Sequence, residues 1–453
     1  MRFFLALIGT VEKPKLGLEP LPYHVELRDY LKSRERELWN WFASAQAKAD
    51  YTEQLRLELL KSTYRLDADG HPELYASLAE AKARLQLDIP VTLYQAQNTP
   101  HLNAALFFIP GEGHVVFSGP MFTLLNPQEL KSVIGHELAH YHLWRQDGGE
   151  FHIADRLIEA VANDPRASSS HEQTARRYRL YTEIFADRGS LCVTGDVNPV
   201  VAGLVKIQTG LAQVSAPGYL KQAEEIFAQS KAATEGLSHP EAFIRARALA
   251  LWQQQGERAT SDIASMIEGE SALDELDLIG QANLTRSTRR LLEHFLQPKW
   301  FHTPAVLGHA KLFFDDFRPA TKRVAGHDLG ALASPPASSS GSELAGGDAG
   351  APREMKSEPP HVGSYIRNEF SGLNFSDPKL REYVCYLLLD FVTADPELDE
   401  KPLAAALDMS RRLDIEAPFE KLAARELKMK VRDVRRIKEQ AVEMLAEAEV
   451  SGE

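Results

Sequence analysis

The sequence contains very little cysteine. Its two cysteines, Cys192 and Cys385, lie far apart in a chain of 453 residues. Two distant thiols cannot form a disulfide framework, so we expect a reducing compartment and predict a cytoplasmic location. The alternative is export, because residues 1–9 form a short apolar segment that resembles the core of a signal peptide, although no clear cleavage site follows it.

The sequence also lacks an excess of positive charge and any long apolar run. It has 51 Lys and Arg residues against 64 Asp and Glu residues, which gives a formal net charge of −13. Nucleic acids and anionic membranes prefer basic surfaces, so we expect no nucleic-acid partner. No apolar run reaches the roughly 20 residues that are needed to cross a bilayer, so we expect no transmembrane segment.

One short motif carries recognisable chemistry. Residues 136–140 read His-Glu-Leu-Ala-His, inside a stretch with helical periodicity. His136 and His140 are four residues apart, so they lie on one face of a helix. Two imidazoles at this spacing suit zinc, and the neighbouring carboxylate of Glu137 can take a proton from a metal-bound water. The motif therefore predicts a zinc site with one ion per chain.

A catalytic zinc site needs a third protein ligand and an open position for water. A third histidine six residues after His140 would complete one known motif, but Gln146 occupies that position. The best alternative is Glu183, which lies in a later helical segment with Asp187 one turn further on. The Asp187 carboxylate can accept a hydrogen bond from a ligand imidazole and fix its tautomer. We therefore predict His136, His140 and Glu183 as the metal ligands.

The segments before the motif predict a small sheet and a capped helix. Residues 91–94, 103–109 and 114–118 are predicted as strands, the last two as a hairpin. The strand at 103–109 is expected to bind an extended substrate by strand addition, beginning with Asn103, Ala104 and Ala105. Asn126 is expected to cap the motif helix, with Pro127 in its first turn and Glu129 completing a capping box.

Taken together, these pieces resemble the gluzincin metallopeptidases that include the CAAX prenyl endopeptidase, the heat-shock protease HtpX and the mitochondrial Oma-type proteases. The matching pieces occur in the same order along this sequence. They are Asn103-Ala104, Val116-Phe117-Ser118-Gly119, Glu129-Leu130, Gly135-His136-Glu137-Leu138-Ala139-His140, Glu183, Asp187-Arg188, Ser238-His239-Pro240 and Arg245.

The resemblance implies a zinc-dependent endopeptidase that acts on protein or peptide substrates through a zinc-activated water. It implies that Glu137 is the general base, and that His239 stabilises the transition state near the scissile carbonyl. Asp187 would orient a ligand, and Arg245 would support the site. The alternative is an inactive or weakly active peptide-binding or scaffold protein that acts through its C-terminal domain. The presence of Glu137 favours the enzyme, because a site that only binds has no need of a base.

The expected fold is α+β and mostly helical. It combines a zincin-type protease core, with a small antiparallel sheet and an active-site helix, and a separate all-α C-terminal domain. Residues 1–89 are expected to form a helical region that packs on a metallopeptidase domain at 90–320. The segment 325–362 is rich in Ser, Pro and Gly and predicts a flexible linker. Residues 363–453 weakly resemble the TerB-like helical domains and offer a site for a protein partner.

Overall fold

The structure, a computed structural model, describes residues 17–97, 99–229, 239–269, 273–319 and 377–450. The predicted linker at 325–362 and the apolar segment at 1–9 lie outside the described residues. Most of the described chain is helical and it contains a four-stranded sheet, so the predicted α+β, mostly helical fold class is confirmed. Among the helices described, none combines the length and the apolar character that a membrane span requires.

The chain divides into two compact units, Met1–Ile279 and Gly280–Glu453. Helices form most of the first unit. In chain order they are α1 (Pro22–Arg34), α2 (Arg36–Ala43), α3 (Ala45–Ser62), α4 (Pro72–Arg84), α5 (Met121–Leu124), α6 (Pro127–Trp144), α7 (Glu150–Ala162), α8 (Ser169–Thr194), α9 (Val197–Thr209), α10 (Ala216–Gln229), α11 (Ala242–Gln255) and α12 (Thr260–Glu268).

Four strands of the first unit form one sheet in the order β1-β2-β4-β3. They are β1 (Thr63–Arg65), β2 (Val91–Ala96), β3 (Asn103–Ile109) and β4 (Glu112–Ser118). β3 and β4 form the predicted antiparallel hairpin, with Asn103 opposite Ser118 and Ile109 opposite Glu112. This pairing leaves β3 at one edge of the sheet.

The expectation of a purely antiparallel sheet is wrong in one respect. β2 pairs with β4 in parallel, so the sheet is mixed. The chain can make this pairing because the segment between the two strands includes β3, which carries it back to the starting end of β2. β1 adds a second antiparallel pair at the opposite edge.

Helix α6 begins with the predicted capping box, which is confirmed. The Asn126 side chain accepts hydrogen bonds from the backbone amides of Gln128 and Glu129, each at 3.0 Å. The Glu129 carboxylate in turn accepts from the Asn126 amide at 2.9 Å and from Lys206 Nζ at 2.9 Å. These bonds satisfy amides that no preceding helical turn can pair, and they fix where α6 starts.

Helices α6 and α8 pack unusually closely because two glycines face the partner helix. A Cβ at Gly189 would lie 2.2 Å from the Ala139 Cβ, and one at Gly135 would lie 2.9 Å from the Val193 Cβ. The pairs 135–193 and 139–189 also show that the two helices run antiparallel. The lack of side chains at these contacts lets α8 bring its own polar residues against the motif face of α6.

The second unit is also helical. Its helices are α13 (Leu278–Phe295), which starts at the unit boundary, α14 (Pro304–Phe313), α15 (Pro378–Val392), α16 (Lys401–Arg412), α17 (Glu416–Glu426) and α18 (Val431–Val450). The Thr288 and Tyr383 hydroxyls lie 2.7 Å apart, and the Phe313 and Phe391 rings lie 5.7 Å apart. α13 and α14 therefore pack with α15, so the predicted metallopeptidase domain of 90–320 extends past the division at Ile279. The TerB-like resemblance of this unit stays a prediction.

Candidate active site

Three side chains from α6 and α8 converge on one point. Nitrogen atoms of His136 and His140 and a carboxylate oxygen of Glu183 all lie within 4.8 Å of one another. Glu183 Oε2 is 3.5 Å from His136 Nε2, and its Oε1 is 3.6 Å from His140 Nε2. The four-residue spacing on α6 and the close antiparallel packing of α8 produce this arrangement. The three residues are positioned to bind a metal ion.

Asp187 and Arg245 form hydrogen bonds that support this cluster. His136 Nδ1 lies 3.0 Å from Asp187 Oδ1 and donates to it when Nε2 is free to bind a metal. Arg245, on α11, donates to both oxygens of Asp187, from Nε at 2.7 Å and from Nη2 at 2.6 Å. Both side chains are buried. The Arg245 guanidinium and His136 hold the pKa of Asp187 below its ordinary value despite the opposing effect of burial.

The charge around the cluster favours a cation. Burial alone would lower the pKa of His136, but hydrogen bonds to Asp187 and Glu183 raise it to about 10. Burial would raise the pKa of Glu183, but His136, His239 and Arg245 bring it well below its ordinary value. Anionic carboxylates therefore stabilise a positive charge between these groups. Two imidazoles and a carboxylate are also a donor set that zinc accepts, so the residues fit a zinc ion.

Glu137 lies beside the cluster and is 5% exposed. Burial, assisted by the charge of Glu183, raises the pKa of its carboxyl to about 7. The charges of His136 and Arg245 and a hydrogen bond from the backbone amide of Leu106 act in the opposite direction. The carboxyl is therefore poised between its protonated and ionised forms near neutral pH.

A cavity of about 460 Å³ opens over the cluster. Edge strand β3 forms one wall through Asn103, Ala104, Ala105 and Leu106. Because Leu106 points its amide at Glu137, and backbone groups alternate along a strand, Ala104 has its polar backbone groups on the same side. The predicted substrate strand therefore borders the cavity that contains the predicted metal ligands.

His239 lies at the mouth of this cavity. Its side chain is 57% exposed, and its Nδ1 is 3.0 Å from Glu183 Oε2. The preceding residue of the matching sequence, Ser238, lies outside the described residues. The structure thus brings all of the predicted site residues together: Asn103, Ala104, Ala105, His136, Glu137, His140, Glu183, Asp187, His239 and Arg245.

Among the lining residues of the cavity that were not predicted from the sequence, three are charged or aromatic. Trp144 stacks on the His140 ring with centroids 5.5 Å apart, and Asp155 and Arg179 line the same end of the cavity. Trp144 follows His140 by four residues, so helical spacing alone offered a signal for it. Asp155 and Arg179 come from other helices, and no local pattern marks them.

Another unpredicted contact comes from the N-terminal helix α1. The Leu21 amide donates to His24 Nδ1 at 3.2 Å, so the neutral ring carries its proton on Nε2. That nitrogen lies 3.3 Å from the Thr182 hydroxyl, to which it donates, and the hydroxyl donates to the Tyr178 carbonyl at 2.8 Å. His24 is fully buried. It therefore fixes the residue that directly precedes Glu183.

The buried His24 predicts a loss of stability in acid. Burial, with a smaller effect of His140, lowers the pKa of His24 to about 3, whereas an unfolded histidine titrates near 6.5. Between these values the unfolded chain binds more protons. Stability is therefore full above about pH 6.5 and falls as the pH drops towards 3, by up to about 1.4 kcal/mol per pH unit from this group.

The His24→Gln variant is expected to show a shallower dependence of unfolding free energy on pH than the natural chain. Urea unfolding of metal-free protein between about pH 4 and 7 measures both slopes. Replacement of the exposed His101 by Gln is the control and should leave the slope unchanged. Equal slopes for the natural chain and His24→Gln would show that His24 does not contribute.

Two helices hold side chains that are positioned to bind a metal ion beside a buried glutamate, an arrangement typical of metal-dependent hydrolases. Residues 71–253 match the family described as Peptidase family M48. The family is one of metalloproteases, which act on proteins or peptides. Neither a curated protein nor a solved structure matches the chain.

Proposed function

We propose that this chain is a zinc-dependent endopeptidase with Glu137 as its general base. The observation that carries the proposal is the buried Glu137 carboxyl, which lies in one cavity with the three side chains positioned to bind a metal. A base works best when its pKa is close to the working pH, and burial brings the pKa of Glu137 to about 7. The match of residues 71–253 to Peptidase family M48 supports the same activity.

Each residue of the site would have its own role. His136, His140 and Glu183 would hold a zinc ion, which when bound supplies Lewis-acid activation of a water molecule and of the substrate carbonyl. An extended substrate would add to the free edge of β3, where backbone groups bind it with little dependence on side chains. The strand at 103–109 thereby places a peptide bond beside Glu137.

Proton transfer follows from the position of Glu137. Its ionised carboxylate takes a proton from the attacking water and later returns that proton to the leaving amine. His239 lies at the cavity mouth, where it would stabilise negative charge on the carbonyl oxygen. Asp187 and Arg245 hold the His136 ring in the orientation that leaves Nε2 free for the metal.

A scaffold function without catalysis is not favoured. A site that only grips a peptide gains nothing from a carboxyl that burial keeps near its titration point, because the buried group costs stability. Recruitment of a protein partner by the C-terminal helices and a cytoplasmic location stay predictions.

The His140→Gln variant tests the metal site directly. It is expected to lower zinc affinity by at least about a hundredfold, because it removes one of three ligands rather than an outer partner. Bound zinc after dialysis, measured by elemental analysis, should fall from one ion per chain to nearly none, and cleavage of an unfolded protein should be lost. His142→Gln, which alters a neighbouring residue that lines no part of the cavity, is the matched control.

A natural chain that retains no zinc, or that is fully active with a chelator present, would contradict the proposal. Stoichiometric zinc without cleavage would instead support a metal site but not an endopeptidase.

A further inference from the structure

The cavity has two chemically different ends. It follows α6 from Ser132 to Trp144, which at 1.5 Å per residue is about 18 Å. At the Ser132 end the walls include three apolar side chains of α9, from Val200, Leu204 and Ile207. At the Trp144 end the walls include the charged residues Asp155 and Arg179. The metal cluster lies between the two ends.

At the charged end, the Asp155 side chain lines the cavity. Arg179 Nε lies 3.4 Å from Glu159 Oε1, and the Arg156 guanidinium lies over the Phe42 ring, 5.3 Å from its centroid. The Asp155 carboxyl makes no hydrogen bond with a residue that the structure describes, although the charges of Arg179 and Arg156 act to lower its pKa. Burial, followed by the charge of Glu159, raises the pKa of its carboxyl to about 7. A partly desolvated carboxyl that faces a cleft gains most from a donor that a ligand brings.

The direction of β3 indicates which part of a substrate reaches Asp155. The Leu106 amide contacts Glu137, and further along β3 the Phe108 ring lies 4.8 Å from Tyr141 and 6.1 Å from Trp144. β3 therefore runs in the same direction as α6. A peptide that adds antiparallel to β3, the more common and slightly more stable pairing, runs the opposite way. Its residues before the scissile bond then lie at the Trp144 end.

We propose that Asp155 determines specificity by binding a lysine or arginine side chain on the N-terminal side of the scissile bond. The inference rests on the proposed endopeptidase function. The substrate cation suits Asp155 because this carboxyl lines the cavity and makes no hydrogen bond with a residue that the structure describes. Long basic side chains can also lay their methylene groups along the Trp144 ring before the charge reaches Asp155.

The test compares fluorogenic peptides that differ at one position only. Lysine, norleucine or glutamate is placed in turn at each of the positions before the scissile bond. The zinc-loaded natural chain should prefer lysine to norleucine at one of them by about tenfold in kcat/KM, and should cleave the glutamate peptide least. Asp155→Asn should bring the ratio of lysine to norleucine close to one. Asp164→Asn, which alters an aspartate beyond α7 that does not line the cavity, should leave the ratio unchanged.

Peptide binding separates this inference from the proposed function. Zinc-loaded Glu137→Gln protein binds without cleaving, so fluorescence anisotropy should show the same preference for lysine and its loss in the Glu137→Gln, Asp155→Asn double variant. If the natural chain cleaves no peptide, the proposed endopeptidase function is contradicted, but the preference for lysine in binding still tests the role of Asp155. The inference is overturned if lysine gives no advantage, or if the Asn variant keeps it. It is also overturned if the position at which lysine is preferred lies after the scissile bond. Loss of zinc by the Asp155→Asn variant with unchanged selectivity for lysine overturns it as well.

Discussion

Glu137→Gln is expected to lower kcat/KM for peptide cleavage by about a hundredfold to ten-thousandfold, the range that general acid–base catalysis contributes. Glutamine has nearly the same shape but cannot accept the proton of the attacking water or return one to the leaving amine. The metal ligands His136, His140 and Glu183 are untouched, so bound zinc should remain at one ion per chain. Cleavage of a fluorogenic peptide and elemental analysis of the same sample measure both quantities.

The substitution should also stabilise the metal-free protein slightly, because it removes a buried carboxyl whose ionisation the cleft opposes. A loss of activity therefore cannot be attributed to unfolding. Glu172→Gln, on the exposed face of α8, is the control and should leave activity unchanged. If Glu137→Gln cleaves as fast as the natural chain while it holds the same zinc, Glu137 is not the base.

The parts of the site that the sequence predicts are those with a local pattern. His136 and His140 share a helix face through spacing alone, and Asn126 and Glu129 cap that helix through contacts within one turn. Glu183 lies 43 positions after His140, and the helical segment around it had to be combined with the known chemistry of zinc ligands. The resemblance to a family then added His239 and Arg245.

The parts that the sequence does not predict depend on long-range packing. Asp155 reaches the cleft only because α7 lies against α8, and His24 reaches Thr182 across 158 positions of sequence. The expected helical region of residues 1–89 begins with three separate helices, because Glu35 has a non-helical backbone between α1 and α2 and the extended backbone of Ser44 separates α2 from α3. No glycine or proline in the sequence marks either break.

The contact between Asp187 and Arg245 gives the second large expectation. Arg245→Met is expected to lower the free energy of unfolding of the metal-free protein by about 3–5 kcal/mol, the cost of leaving a buried charge without its partner. Asp187 would lose two charge-assisted hydrogen bonds while 3% exposed, and the guanidinium 3.5 Å from Glu183 Oε2 would also be lost. Denaturant unfolding with a chelator present measures the change.

The control for Arg245→Met lies half a turn away on the same helix. Arg247 faces Glu224 at 3.4 Å in a more exposed pair, so Arg247→Met should cost no more than about 1 kcal/mol. Asp187→Asn combined with Arg245→Met removes both charges and should recover part of the stability, since no buried charge of that pair is left alone. Equal losses for Arg245→Met and Arg247→Met, or no recovery in the double variant, would show that burial of the ion pair is not what holds α11 against α8. Recovery of stability without recovery of zinc affinity would separate the two roles of Asp187, because only the carboxylate orients His136 for the metal.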